Sequence, residues 1–297
     1  MIRNMLGIAA FIVFATVALA QLQGIVDIHA HSDPDSMPRS IDALEAARLA
    51  RAEGMRALLL KNHFAPTAQL AYTVSRVVDG IGVFGGIVLN QPVGGINPAA
   101  VEQMAKFKGG HGRVVWMPTC DAENQVRVSG EKRPFVSVSR GGALLPEVLE
   151  VLKIMAREKL ALATGHSSPA EVTLLVAEAR RLGITRIVVT HATKSPVNMT
   201  VEQQKEVARL GAWLEYDYGH LLPPAGAGRR SFADFARDIR AVGPEHCILS
   251  SDLGQADNPV HTTGWKAYLE GLLKAGLRQE EIDTMARRNP ARFLGLE

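Results

Sequence analysis

Ile25-Val26-Asp27-Ile28-His29-Ala30-His31 is a β-branched, apolar run that ends in two imidazoles two positions apart. Successive residues of a strand point to opposite sides, so the spacing predicts Asp27, His29 and His31 on one face at the strand's C-terminal end. Two histidines on one face make half a metal site. Imidazole suits zinc, iron and other divalent ions, and a nearby carboxylate can ligate or orient a ring. Completing the site depends on what later strands bring to the same place.

Seven further short runs follow this one, and each leads into a stretch with helical periodicity. The predicted strands are 25–31, 57–63, 82–89, 113–119, 160–166, 186–192, 212–218 and 247–253. The predicted helices are 40–53, 67–78, 97–107, 145–157, 169–181, 200–210, 231–239 and 264–277. Nearly continuous apolar cores such as Ala57-Leu58-Leu59-Leu60 and Ile187-Val188-Val189 imply strands buried on both faces, as in a parallel sheet. Glycines at Gly54 and Gly183 suit helix ends. Eight strand–helix units in this length predict a single-domain (β/α)8 TIM barrel over 21–297. An open doubly wound sheet holding a dinucleotide would need a glycine-rich turn after its first strand, and Ser32-Asp33-Pro34-Asp35 is not one. An additional C-terminal helix is predicted at 279–287, packed outside the barrel, with Asn289-Pro290 ending it and Arg292-Phe293-Leu294 tying down the tail.

Composition narrows the partners. The 297 residues are 47% hydrophobic, enough for a large core, and carry a formal net charge of +3 without a long basic block. With aromatics at 5%, nothing marks a nucleic-acid surface. The tight basic pairs Arg229-Arg230 and Arg287-Arg288 read as surface or local contacts. Residues 1–20 stand apart: Arg3 precedes a mostly apolar stretch that ends Val17-Ala18-Leu19-Ala20, ahead of Gln21. This is the pattern of a signal peptide cleaved after Ala20, or of an uncleaved N-terminal anchor. It is short for a spanning helix. The expected location is therefore periplasmic or extracellular, with a cytoplasmic one if the start codon is misassigned, and no stable membrane insertion once the segment is removed. Cys120 and Cys247 fall at opposite ends of the barrel and are expected to remain unbridged.

Catalytic groups in such barrels sit at the C-terminal ends of strands. His29 and His31 fall at the end of the first predicted strand and Lys61 and His63 at the second. His166 follows at the fifth, His191 at the sixth and Asp252 at the eighth. Glu215, Asp217 and Tyr218 at the seventh are candidates for lining a pocket. Arg39, Asn62, Asn90, Gln91, Lys194, Tyr216 and Gln255 could address a polar ligand. The longest connection, 121–142, carries Arg127, Lys132, Arg133 and Arg140 and could cover the mouth.

In its order and strand placement this set resembles the amidohydrolase superfamily of metal-dependent hydrolases, and within it a group of small amidohydrolase-like proteins. The resemblance runs from Gly24 to the C-terminus. It implies that His29, His31 and Asp252 hold one divalent ion, zinc first among the choices, and that His166 and His191 hold a second or position substrate. Asp252 would also take a proton from the attacking water. The family often bridges two ions with a lysine or glutamate of the fourth strand, whereas Arg113-Val114-Val115-Trp116-Met117-Pro118-Thr119 supplies neither. Cys120 or Glu123 just beyond it, or Lys61 or His63 on the second strand, could take that place, so one ion and two ions both stay open.

The chemistry expected is hydrolysis of an amide, lactone or other ester of a small molecule by a metal-activated water. Asp252 would orient that water and move its proton, while His191 or Lys61 would stabilise charge on the attacked oxygen. Two alternatives stand beside it: a metal-dependent decarboxylase or lyase, and a non-catalytic ligand-binding barrel. A homo-oligomer is compatible with the sequence.

Overall fold

The computed structural model describes residues 22–222 and 230–297, so the predicted leader at 1–20 and Arg229 lie outside the described residues. Eight parallel strands run in sequential order: β1 Val26–Ala30, β2 Ala57–Leu60, β3 Gly82–Val88, β4 Gly112–Trp116, β5 Ala161–Ala163, β6 Ile187–Val189, β7 Trp213–Asp217 and β8 Cys247–Ser250. The ring closes just beyond β8. There the His31 N–H donates to the Leu253 carbonyl at 2.8 Å and the Asp252 N–H to the His29 carbonyl at 2.9 Å. The molecule is the (β/α)8 barrel that the eight repeats predict.

Alternation along the strands sorts side chains into two shells. Val26, Ile28, Leu59, Val114, Trp116 and Ile248 fill the barrel. Leu58, Leu60, Val83, Leu162 and Leu214 face the helices instead. That covering layer is α1 Ala43–Ala52, α2 Ala68–Ser75, α3 Pro98–Ala105, α4 Glu123–Ser129, α5 Pro146–Arg157, α6 Pro169–Arg181, α7 Val201–Arg209, α8 Phe232–Val242 and α9 His261–Lys274. Capping boxes start α6 (Ser168 with Glu171) and α7 (Thr200 with Gln203). None of the helices among the described residues is long and apolar enough to cross a membrane.

The long fourth connection has structure of its own: α4 and a two-stranded hairpin, Ser139–Arg140 with Ala143–Leu144. Its charges are largely paired internally. Arg127 bonds Glu123, and Arg133 bonds Asp121 and the Cys120 carbonyl.

The C-terminus differs from the prediction. After α10 Gln279–Asp283 and a π-turn at Thr284–Arg288, Asn289-Pro290 begins another helix, α11 Asn289–Leu294, rather than ending one. Proline at a first helical turn loses no hydrogen bond, which is why it starts this segment. Asn289 Nδ2 donates to the Cys247 carbonyl at 2.8 Å, and Phe293 and Leu294 plug the inner shell at the end opposite the mouth. Burying Phe293 contributes about 1.5–3 kcal/mol.

Candidate metal centre

The strands end sooner than their apolar runs suggest, so most of the polar residues sit in the first turns of the βα loops. His29 lies within β1, while His31, Lys61, His63, His166, His191 and Asp252 lie just past strand ends. Two backbone features hold that crown. His191 and Asp252 both adopt left-handed φ values, 51° and 48°, which are costly for non-glycine residues and persist where the surroundings fix them. Here the His191 N–H donates to Glu215 Oε2 at 3.1 Å, and the Asp252 N–H is the bond that closes the barrel. Gly254, at φ +117°, passes so close to β1 that a Cβ there would collide with the His31 carbonyl oxygen. Gly254→Ala is expected to cost about 2 kcal/mol or more and to displace His31. Urea unfolding checks this; an unchanged midpoint contradicts it.

The expected common face of Asp27, His29 and His31 needs correction. The β1–β2 register shifts between Asp27 and Ala30, and this irregularity sends Asp27 towards the helices while His29 faces the barrel. Asp27 Oδ1 accepts the His29 and Ser251 N–H groups at 3.1 Å each, and its Oδ2 accepts Trp265 Nε1–H of α9 at 2.9 Å. Asp27 is thus a buried brace beneath the site.

His29 and Asp252 form the centre. His29 Nδ1 lies 2.9 Å from Glu215 Oε1, so the ring carries its proton there and turns the lone pair of Nε2 inward. That nitrogen is 3.1 Å from Asp252 Oδ1, and His31 Nε2 is 3.4 Å from the same oxygen. His191 repeats the arrangement: its Nδ1 is 2.9 Å from Asp217 Oδ2, and its Nε2 is 3.9 Å from Asp252 Oδ2. Among the described residues, three sets of donors lie close enough to share an ion: His29, His31 and Asp252; His29, His191 and Glu215; and His191, Asp217 and Asp252. All are buried. The His166 and His191 rings are 5.3 Å apart; His166 Nδ1 is 2.8 Å from Gln125 Oε1, and its buried Nε2 has no hydrogen-bond partner among the described residues. Gly165, at φ +60°, makes the turn that carries His166 past the Met117 carbonyl.

The β2 pair divides. Lys61 is buried, with Nζ 2.9 Å from His29 Nε2 and 5.8 Å from the centre of the Trp116 ring. His63 stands beside His31, ring centres 5.0 Å apart, and its Nδ1 meets Thr119 Oγ1 at 2.8 Å. Neither stand-in from the fourth connection reaches the donor sets. Glu123 is occupied by Arg127 and Ser137, and Cys120 Sγ accepts from Asn90 Nδ2 at 3.1 Å. Both cysteines are free.

Sequence reasoning placed Glu215 and Asp217 only as pocket lining. The structure makes them the carboxylates that orient His29 and His191, and their spacing of two on an apolar strand was the available signal. Tyr216, between them, faces outward and donates to Gln204 Oε1 at 2.6 Å, so it addresses no ligand. Lys194 reaches Asp252 Oδ2 at 2.9 Å and Asp217 Oδ1 at 3.6 Å.

Burial and neighbouring charge set the protonation states. Burial pushes the His31 pKa down to about 3, with His29 and Lys61 acting in the same direction. His63 and His166 are lowered well below the ordinary range, again chiefly by burial. Burial alone would raise the Asp252 carboxyl, but Lys194, His29 and His191 outweigh it and hold it well below the carboxylate range. A neutral His31 imidazole beside the ionised Asp252 carboxylate offers a lone pair and a negative charge to a divalent cation. Because unfolded histidine titrates near 6.5 and folded His31 near 3, unfolding takes up protons between those values, so stability is full above pH 6.5 and declines as pH falls through that window. The melting temperature of metal-free protein should therefore drop from pH 7 to pH 5, at up to about 1.4 kcal/mol per pH unit per histidine, and His31→Gln should flatten the slope. A flat wild-type profile rules this out.

The closed parallel barrel is a fold this chain shares with solved amidohydrolase structures. The chain belongs to the family of unknown function DUF6282, whose sequence model matches residues 24–215. A search of the curated proteins finds no match. Solved structures with the same fold include an amidohydrolase from Pseudomonas aeruginosa, 13% identical, with a TM-score of 0.63 over 93% of this chain and 97% of that one. An amidohydrolase from Burkholderia multivorans with bound zinc is 14% identical, with a TM-score of 0.56 over 91% and 99%. The 2,6-dihydroxybenzoate decarboxylase from Rhizobium is 12% identical, with a TM-score of 0.50 over 92% and 99%.

Proposed function

We propose that the protein is a metal-dependent hydrolase of an amide, lactone or other ester, with a divalent ion, zinc first among the choices, held by His29, His31 and Asp252. The observation that carries this reading is the meeting of His29 Nε2 and His31 Nε2 at Asp252 Oδ1, with the His29 ring already anchored through Nδ1 by Glu215. His166, with its unpartnered Nε2, and His191 are the residues to take a second ion or the substrate. When bound, the ion would supply Lewis acidity, activating a water and polarising the attacked oxygen.

The chain's own groups do the rest. Asp252, ionised by its surroundings, accepts the proton of the attacking water and passes it to the leaving group. Lys194 neutralises the outer oxygen of Asp252, so Oδ1 is the oxygen turned to the donors. His191, anchored by Asp217, presents Nε2 towards the attacked oxygen, and the Lys61 ammonium adds positive charge beside it. Residues 1–20 support an exported form.

The test is metal-loaded protein assayed in 18O-labelled water against lactones, esters, amides and phosphoesters. Metal-dependent label in the product supports the reading, and full hydrolysis by protein stripped of metal counts against it. A decarboxylase is the second reading, favoured by the Rhizobium decarboxylase among the structural neighbours. Release of carbon dioxide without labelled product would select it.

A further inference from the structure

We propose that Lys61 is a built-in cation of the metal centre, its ammonium holding the His29 Nε2 lone pair until a divalent ion displaces it. The inference rests on the metal reading above and adds a competitor within the chain. His29 Nδ1 is committed to Glu215 at 2.9 Å, so the ring has one lone pair to offer, at Nε2. Lys61 Nζ lies 2.9 Å from that nitrogen. One lone pair cannot accept an ammonium proton and bind a metal at the same time.

The surroundings of Lys61 make the contact unusual. The side chain is 2% exposed, His29 Nε2 is its hydrogen-bond partner, and among the described residues it forms no ion pair with a carboxylate within 4.0 Å. A buried ammonium ordinarily takes a carboxylate partner, because leaving water is costly. Among the described residues the carboxylates of the mouth have other partners: Glu215 meets His29 and Ser250, Asp217 meets His191, and Asp252 meets Lys194 through Oδ2 while its Oδ1 faces His29 Nε2 at 3.1 Å. The face of Trp116 offers the remaining attraction, 5.8 Å away. Lys61 therefore stands where positive charge is wanted, yet its hydrogen bond uses an atom that the ion needs. Metal entry becomes an exchange of one cation for another. Lys61 acts as a positioning residue that keeps the donors gathered in the metal-free state and lowers the affinity for metal.

Calorimetric titration of zinc into chelator-treated full-length protein tests this, alongside melting temperatures with and without zinc. Lys61→Met is expected to bind zinc at least tenfold more tightly than wild type. Its metal-free form should melt below wild type, and its gain on adding zinc should be the larger. Lys61→Gln serves as the second variant if the first does not fold. Zinc binding by the variant alone also supports the exchange. Equal affinity in variant and wild type overturns it, and weaker affinity in the variant overturns it by making Lys61 a ligand. Absence of zinc binding in every form overturns the metal reading and this inference together.

Discussion

Asp252→Asn is expected to lower turnover by about 10³-fold or more while the barrel stays folded. The substitution keeps the shape of the side chain but removes the charge that faces His29 and His31 and the base that accepts the proton. General-base catalysis is worth about 10²–10⁴ in rate, and loss of an anionic metal ligand adds to that. The fold should survive for two reasons. The bond from the residue 252 N–H to the His29 carbonyl belongs to the backbone, and asparagine tolerates the left-handed φ of 48° that this position requires. Lys194 would keep Asp217 at 3.6 Å. Steady-state kinetics beside circular dichroism check the prediction. Near-normal turnover would remove Asp252 from the chemistry.

His29→Ala should strike metal binding and stability together. It deletes the inward Nε2, the hydrogen-bond partner of Lys61 and a partner of Glu215, leaving a buried ammonium and a buried carboxylate less well compensated. Breaking a buried charge network by removing one member costs about 3–5 kcal/mol. Zinc affinity should fall by about 100-fold or more, beyond the range typical of losing a supporting residue. His63→Ala is the contrast, since His63 stands beside His31 and bonds Thr119 outside the three close donor sets. It should keep zinc. Metal content after gel filtration and urea unfolding of both variants decide the matter, and full zinc retention by His29→Ala contradicts the assignment.

The barrel was legible because eight apolar runs alternate with helical ones, and a strand buried on both faces leaves that mark in sequence. The gathering of His29, His31, His166, His191 and Asp252 at one mouth was legible for a related reason: closing the barrel brings successive strand ends together. What stayed hidden depends on local geometry or on distant pairing. The irregularity in β1 turned Asp27 towards Trp265, 238 residues away, where strict alternation placed it beside His29. The partnership of Lys194 with Asp252 spans 58 residues and that of His63 with Thr119 spans 56, and neither spacing marks a contact. Glu215 and Asp217 were visible as a same-face pair on strand seven. Their role required knowing which imidazole nitrogen each one meets. Pro290 misled in another way, because the same residue can end a helix or occupy its first turn, and only the packing of Phe293 in the barrel decides between them.

The most direct test is a crystal structure of zinc-loaded protein with anomalous diffraction measured at the zinc edge. A peak bound by His29 Nε2, His31 Nε2 and an Asp252 carboxylate oxygen is the expected result, with Lys61 Nζ moved off His29. Protein saturated with zinc that shows no peak among these three residues, with Lys61 still bonded to His29, would contradict the assignment of a metal centre.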